Sequence, residues 1–354
     1  MKPPLLLALV LNLVLITPPF LSAAPMTSIT YPAASGPGQG KHIVFLTGDE
    51  EYRSEEGLPM LAKILSQRYG FTCTVLFALD ADGTINPDNN TSLSNPAALD
   101  QADGIVMGLR FRQWPDEAMQ HFADAVARGV PIVALRTSTH AFNFPAKSPS
   151  AFKSFNNFGR EVLGENWVSH WGANRRGATR GIIEPGAESD PLLHGVTEIF
   201  GDSGAYETHP VVDAKILVRG QVLKGMSPSD VPDTYLKKRK SDGVEQPIND
   251  PLMPIAWTRI NHNAKGTTNR VFCTTMGAAT DLSNEDFRRL VINAVLAGFE
   301  LQIPARADVR YVDAYDPAPY AFKGYRRGLT PVDHALGQVL RPGTPPPAAP
   351  VKKD

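Results

Sequence analysis

Between residues 41 and 303 the chain alternates short apolar runs with longer stretches whose apolar residues recur at helical spacing. KHIVFLTG (41–48) is compact, rich in β-branched and aromatic residues, and ends in Gly, which predicts a buried strand. GLPMLAKILSQRYG (57–70) has helical spacing and stops at Gly70. TCTVLFAL (72–79) predicts the second strand, residues 104–109 the third and PIVALR (131–136) the fourth. PDEAMQHFADAVARG (115–129) predicts an amphipathic helix, with Pro at its start, acids in its first turn and Gly at its end.

The second half is more irregular. KSPSAFKSFNNFGREVLG predicts a short helix, NWVSHWGANRRGATRGIIEP a polar, aromatic loop entering a strand, and residues 215–223 another strand. NDPLMPIAWTRI and TNRVFCTTMG, separated by HNAKGT, predict a hairpin. Residues 283–301 predict a closing helix capped by Ser283. Strands with intervening helices imply an α/β doubly wound, mostly parallel sheet with helices on both faces.

In such a sheet, ligands bind outside the carboxyl ends of the strands. Three of those ends carry polar sequence: TGDEEYR after the first strand, LRFRQW after the third and RTSTHAF after the fourth. They bring Asp49, Glu50, Glu51, Arg53, Arg110, Arg112, Arg136 and His140 to one edge, which marks that edge as the candidate site.

Composition adds boundaries rather than chemistry. The 354 residues are 42% hydrophobic and 20% charged, with a formal net charge of -1, so the balance points to neither nucleic acid nor an anionic membrane as partner. The run KKRK (237–240) reads as a solvated loop. Residues 1–24 combine one Lys, an apolar run broken by Pro18 and Pro19, and the small-residue end Ser22-Ala23-Ala24. That pattern predicts a cleaved signal peptide, no stable membrane anchor, and a secreted or periplasmic protein. Cys73 and Cys273 each sit in a strand-like run, and the fold separates those strands, so two buried free thiols are expected. Residues 304–340 form a C-terminal extension, and the Pro-rich tail 341–354 is expected to be disordered.

The segments HIVFLTGDEEYRSEE, GLRFRQWPDE, IVALRTSTHAF, NWVSHWG with the following ATRG, YETHP, MPIAWTR and RVFCTTMGAATDL resemble the ThuA-like (trehalose-utilisation-like) family over residues 41–303. The resemblance implies a flavodoxin-like fold of the class I glutamine amidotransferase-like type, and an association with disaccharide and oxidised (keto-) sugar metabolism. Amidotransferases of that type place a nucleophilic Cys at a strand-to-helix elbow. The elbow here holds Thr137-Ser138-Thr139-His140 without a thiol, which excludes glutamine hydrolysis by thiol attack. After HWG this chain has ANRR where the family would have a more His-rich stretch.

On that footing His140 is the leading proton-transfer group, with Glu207 or Asp49 as its acid partner. Arg136, Arg110 and Arg112 are candidate substrate clamps, with Thr139 beside them. Trp171 offers a ring for a sugar face, and His170 and His209 lie in the neighbouring polar knots. His140, His170, Glu207 and His209 could together hold a metal, but no HExxH motif or ligand pair on one helix supports that, and no metal is expected. Gly277 could let backbone amides approach a ligand, yet GxGxxG spacing is absent and no cofactor is expected. The expected partner is a small-molecule carbohydrate. A sugar- or protein-binding module without catalysis, and a metal-dependent hydrolase, are the alternatives.

Overall fold

A computed structural model of the chain describes residues 26–340. The signal-type segment 1–24 and the Pro-rich tail 341–354 lie outside the described residues. In chain order the strands are β1 (Ser28–Tyr31), β2 (His42–Gly48), β3 (Thr72–Leu76), β4 (Gly104–Leu109), β5 (Ile132–Leu135), β6 (Ser169–His170), β7 (Thr179–Ile183), β8 (Ile199–Gly201), β9 (Tyr206–Glu207), β10 (Lys215–Val222), β11 (Leu236–Lys238), β12 (Glu245–Pro247), β13 (Met253–His262) and β14 (Thr268–Thr274). The helices are α1 (Ser54–Tyr69), α2 (Asp116–Ala127) and α3 (Glu285–Gly298).

Ten strands form one sheet in the order β1-β3-β2-β4-β5-β14-β13-β10-β7-β8. Strands β3, β2, β4, β5 and β14 are mutually parallel. Numbered by their own succession along the chain, these parallel strands lie in the order 2-1-3-4-5, the flavodoxin-like doubly wound arrangement. Beyond β14 the sheet continues antiparallel through β13, β10, β7 and β8, and β1 pairs antiparallel with β3 at the other edge.

Alternation along the strands sorts the core onto two faces. Ile43 and Phe45 of β2 join α1 and α3 in one cluster, whereas Val44 and Leu46 join α2 and the aromatic group Trp114, Phe142, Phe144 and Phe158 in the other. All four of these β2 residues are fully buried, as expected of a parallel strand covered on both sides. Each such side chain contributes on the order of 2 kcal/mol of burial.

The connections between the strands vary in kind. No α-helix links β3 to β4; a single 3-10 turn, Pro96–Gln101, takes its place and fills the layer with Leu99. Helix α1 begins at Ser54, one turn before the expected start, because Gly57 and Pro59 read as starters while Glu55 and Glu56 already suit a helix amino terminus. It ends as expected at Gly70, whose left-handed φ of 76° lets its N–H reach Leu65 O. The expected short helix over residues 147–164 is a 3-10 turn, Lys153–Asn157, followed by one π turn, Gly159–Leu163.

Cys73 and Cys273 are free and buried, on strands with β2, β4 and β5 between them. Among the described residues no helix is long and apolar enough to cross a membrane. The cap of α3 is Asn284, not Ser283, and its side chain accepts from Phe287 N at 2.7 Å. Asn284→Ala should therefore lower stability by about 1 kcal/mol while Ser283→Ala costs little. Chemical denaturation of the two variants checks this, and equal losses would contradict the assignment.

Candidate functional site

The three polar turns meet at the carboxyl edge of the parallel strands, and hydroxyl groups join them. Thr137 Oγ1 donates to Asp49 Oδ2, and Ser138 Oγ donates to Met107 O at 3.0 Å. Leu109 N donates to Ser138 Oγ, and Phe111 N donates to His140 O. The ends of β2, β4 and β5 are thus one bonded unit.

Backbone conformation singles out the same edge. Of the seven described non-glycine residues with positive φ, five lie here: Arg53, Phe111, Arg136, Arg175 and Lys323. Such residues cost free energy and persist where the surroundings over-determine them, which is common at functional sites.

At the end of β5, Arg136 is 1% exposed. Its Nη1 donates to Gly204 O at 2.8 Å and Thr275 O at 2.6 Å, and its Nη2 donates to Tyr52 Oη at 3.0 Å. The guanidinium lies over the Tyr52 and Tyr206 rings, 4.3 and 4.1 Å from their centroids. Arg112 is equally buried and donates to Arg110 O, Pro87 O, Asn89 O and Glu50 Oε2. Both were expected to clamp substrate; the structure commits all three Arg112 nitrogens and both terminal nitrogens of Arg136 to the protein. Arg110 remains half-buried at the surface of the cleft, paired to Glu50 and lying over the Phe111 ring at 4.4 Å.

His140 packs 5.0 Å from Phe111, 5.0 Å from Trp167 and 6.1 Å from Tyr206, centroid to centroid. Its Nδ1 is 3.2 Å from Thr139 Oγ1, so Thr139, itself buried, serves to orient the imidazole. His170 lies 5.3 Å from the Tyr206 ring and 6.1 Å from Trp167. Its Nδ1 and the Trp167 Nε1 are buried and have no hydrogen-bond partner among the described residues. Burial, reinforced by the positive fields of Arg110 and Arg136, holds His140 well below the usual imidazole range. Burial and then Arg136 and Lys237 bring His170 down to about 4. The site therefore presents two neutral imidazoles.

Neither expected acid partner bonds to His140. Asp49 accepts from Glu51 N, Tyr52 N and Thr137 Oγ1. Glu207, fully buried, accepts from Ser169 Oγ, Lys240 N and Ser241 N. Burial opposes its charge, but hydrogen bonds from Ser241, Lys240 and Ser169 hold its pKa down at about 2. Glu207 thus anchors the β11–β12 turn, and His209 contacts Ser241 and Glu207 in the same place. Trp171 is fully buried, and its indole N–H donates to Ile248 O, so it is a core residue. Trp167, four residues earlier in the same aromatic run, takes the cleft position instead. Gly277, at φ 131°, leaves no room for a Cβ, which would lie 2.8 Å from Leu135 Cβ. Its amide and that of Ala278 donate to Asp281, so neither faces a ligand.

The C-terminal extension reaches the same edge, a contact the sequence did not reveal. Tyr320 stacks on Tyr52 at 5.0 Å, Ala321 N donates to Glu51 O, and the Phe322 ring lies 5.1 Å from the Arg110 guanidinium. No motif announces this contact, because it joins residues some 200 to 270 positions apart. Among the described residues no group of three or more His, Cys, Asp and Glu could hold a metal ion. An apolar recess of about 300 Å³ opens at the opposite, amino-terminal end of β5. Its rim charges are already paired, Arg259 with Asp213, Lys215 with Asp190 and Arg270 with Glu300.

Strand order and strand-end site together define an α/β protein of the flavodoxin-like class. Among solved structures, a protein designated thua-like from Bacteroides uniformis ATCC 8492 is 15% identical, with 76% of this chain and 95% of that one covered and a TM-score of 0.44. A second so designated, from Parabacteroides merdae ATCC 43184, is 12% identical, with 75% and 92% covered and a TM-score of 0.43. PurLQS from Thermotoga maritima is 12% identical over 73% of this chain and 99% of that one, with a TM-score of 0.37. No family model matches the sequence, and no curated protein does.

Two measurements check the site. In NMR titrations the ring protons of His140 and His170 should hold one set of shifts from pH 8 down to about 5.5; a midpoint near 6.5 for either would contradict the neutral pair. Glu207→Ala should speed amide exchange at Lys240, Ser241 and the rest of residues 236–247, with Glu207→Gln intermediate and β2 to β5 unchanged. Unaltered exchange in the ribbon would show that Glu207 does not anchor it.

Proposed function

We propose that the chain is an exported carbohydrate-active protein acting on a neutral sugar or oxidised (keto-) sugar, with His140 exchanging the proton and no thiol taking part. The observation that carries this reading is a neutral, partly exposed imidazole packed among the rings of Phe111, Trp167 and Tyr206 at the carboxyl edge of the sheet. Glu50 pairs with Arg110 and Arg112, and Glu51 with Arg175. The carboxylates beside the imidazole are thus paired, and Arg110 and Arg136 leave a positive field at His140. The half-buried rings, Phe111 and Trp167, suit the apolar faces of a pyranose. Export rests on residues 1–24.

Proton removal beside a carbonyl gives the reaction its logic. A base of depressed pKa gains strength when negative charge develops next to it, so an enolate would raise the His140 pKa as the proton arrives. Arg110, which keeps an exposed edge, is placed to balance that charge. Asp49 and Thr139 act as positioning residues, through the Thr137 bond and the His140 ring respectively.

One observation favours a second reading. No carboxylate hydrogen-bonds to His140 among the described residues, as expected of a sugar-binding module without turnover. A thermal-shift panel of monosaccharides, disaccharides and keto-sugars, followed by product analysis of every hit, separates the two. Turnover that falls at least 100-fold in His140→Ala, with unchanged melting, supports the proton-transfer role. Stabilisation without product assigns a binding module, and full activity in His140→Ala removes His140 from the chemistry.

A further inference from the structure

The C-terminal extension crosses the strand-end edge and is fastened on both sides of Phe322. Ala318 N donates to Glu56 Oε2, Ala321 N donates to Glu51 O and Arg53 Nη2 donates to Ala321 O. On the far side Lys323 pairs with Asp88 at 2.9 Å. Gly324 N donates to Ala321 O, closing a tight turn in which Lys323 has the left-handed φ of 62°. The turn holds Phe322 at its tip, half exposed, with its ring against Arg110. An exposed Phe on a backbone fixed in this way is a preorganised surface rather than a loose loop side chain.

Two rows of rings and cations start from this strap and converge on the imidazoles. One runs Tyr320, Tyr52, Arg136, Tyr206 and His170, with successive separations of 5.0, 4.3, 4.1 and 5.3 Å. Its first four members are buried and form backing. The other runs Phe322, Arg110, Phe111, His140 and Trp167, at 5.1, 4.4, 5.0 and 5.0 Å. None of these five is fully buried, so this row is the accessible face. Phe322 stands three contacts out from the proton-transfer group along this row.

We propose that Phe322 is the platform of a second, distal subsite, so that the cleft takes a ligand with two rings, the first at His140 and Trp167 and the second stacked on Phe322 beside Arg110. The inference rests on the carbohydrate reading above and adds a specificity-determining residue from outside the α/β sheet. The second ring is a sugar in this assignment; an aromatic aglycone would present the same apolar face, and the test separates them.

Calorimetric titration with glucose, galactose and mannose, with cellobiose, lactose, maltose and mannobiose, and with phenyl β-glucoside decides the matter. At least one disaccharide should bind about tenfold more tightly than its monosaccharide. Phe322→Ala should remove that difference while leaving the monosaccharide affinity and the melting temperature unchanged, and Phe322→Trp should restore it. Gain for phenyl β-glucoside alone would assign the subsite to an aglycone and overturn the second-sugar assignment. Equal losses for one-ring and two-ring ligands, or no loss for either, would overturn the subsite while leaving the carbohydrate reading intact. Failure of every sugar here, and of every keto-sugar in the thermal-shift panel, to bind the unaltered protein would remove both.

Discussion

The carboxyl edge of this sheet depends on a buried cation. Arg136 follows β5 with its charge almost wholly out of water, and among the described residues no carboxylate forms an ion pair with it. Carbonyl oxygens of Gly204 and Thr275, the Tyr52 hydroxyl and two tyrosine ring faces supply the compensation. These partners come from the turn after β2, the end of β14 and the loop before β9. A buried charge is tolerated only when all such contacts exist together, so Arg136 requires those segments to assemble as a unit. Its left-handed backbone conformation is part of the same constraint.

The chemistry of the cleft follows from that assembly. Arg136 and Arg110 add their fields to burial and keep His140 and His170 neutral. Burial and the neighbouring Asp49 raise Glu50 and Glu51, while Arg110, Arg112 and Arg175 draw them back toward the charged form. The result is a site rich in ionisable groups, its carboxylates paired and its imidazoles held in a net positive field. The C-terminal strap completes it by laying Tyr320 against Tyr52 and Phe322 against Arg110.

Much of the fold was legible along the chain. β2, β4 and β5 were readable within about one residue of each end, and the β13–β14 hairpin was readable from two β-branched runs around HNAKGT, because buried strands need near-continuous apolar sequence. The convergence of Asp49, Arg110, Arg136 and His140 was readable too, since parallel strands place their carboxyl ends together. Individual roles were not. Glu207 and Trp171 look like site residues in sequence, yet one accepts backbone amides of a distant turn and the other gives its indole N–H to Ile248. Nothing local distinguishes a Trp that fills a core from one that faces a cleft, as the exchange of Trp171 for Trp167 shows.

Sequence alone therefore determined the strand and helix periods, the parallel core and the edge at which polar residues gather. Each of these follows from spacing, which the backbone imposes locally. It also determined that no thiol stands at the elbow after β5. Tertiary structure decided which charges are spent on the protein, which imidazoles stay neutral and which rings remain accessible. Those properties belong to contacts across tens or hundreds of residues, from Thr137 with Asp49 to Phe322 with Arg110, and burial and electric field arise only once such groups are brought together.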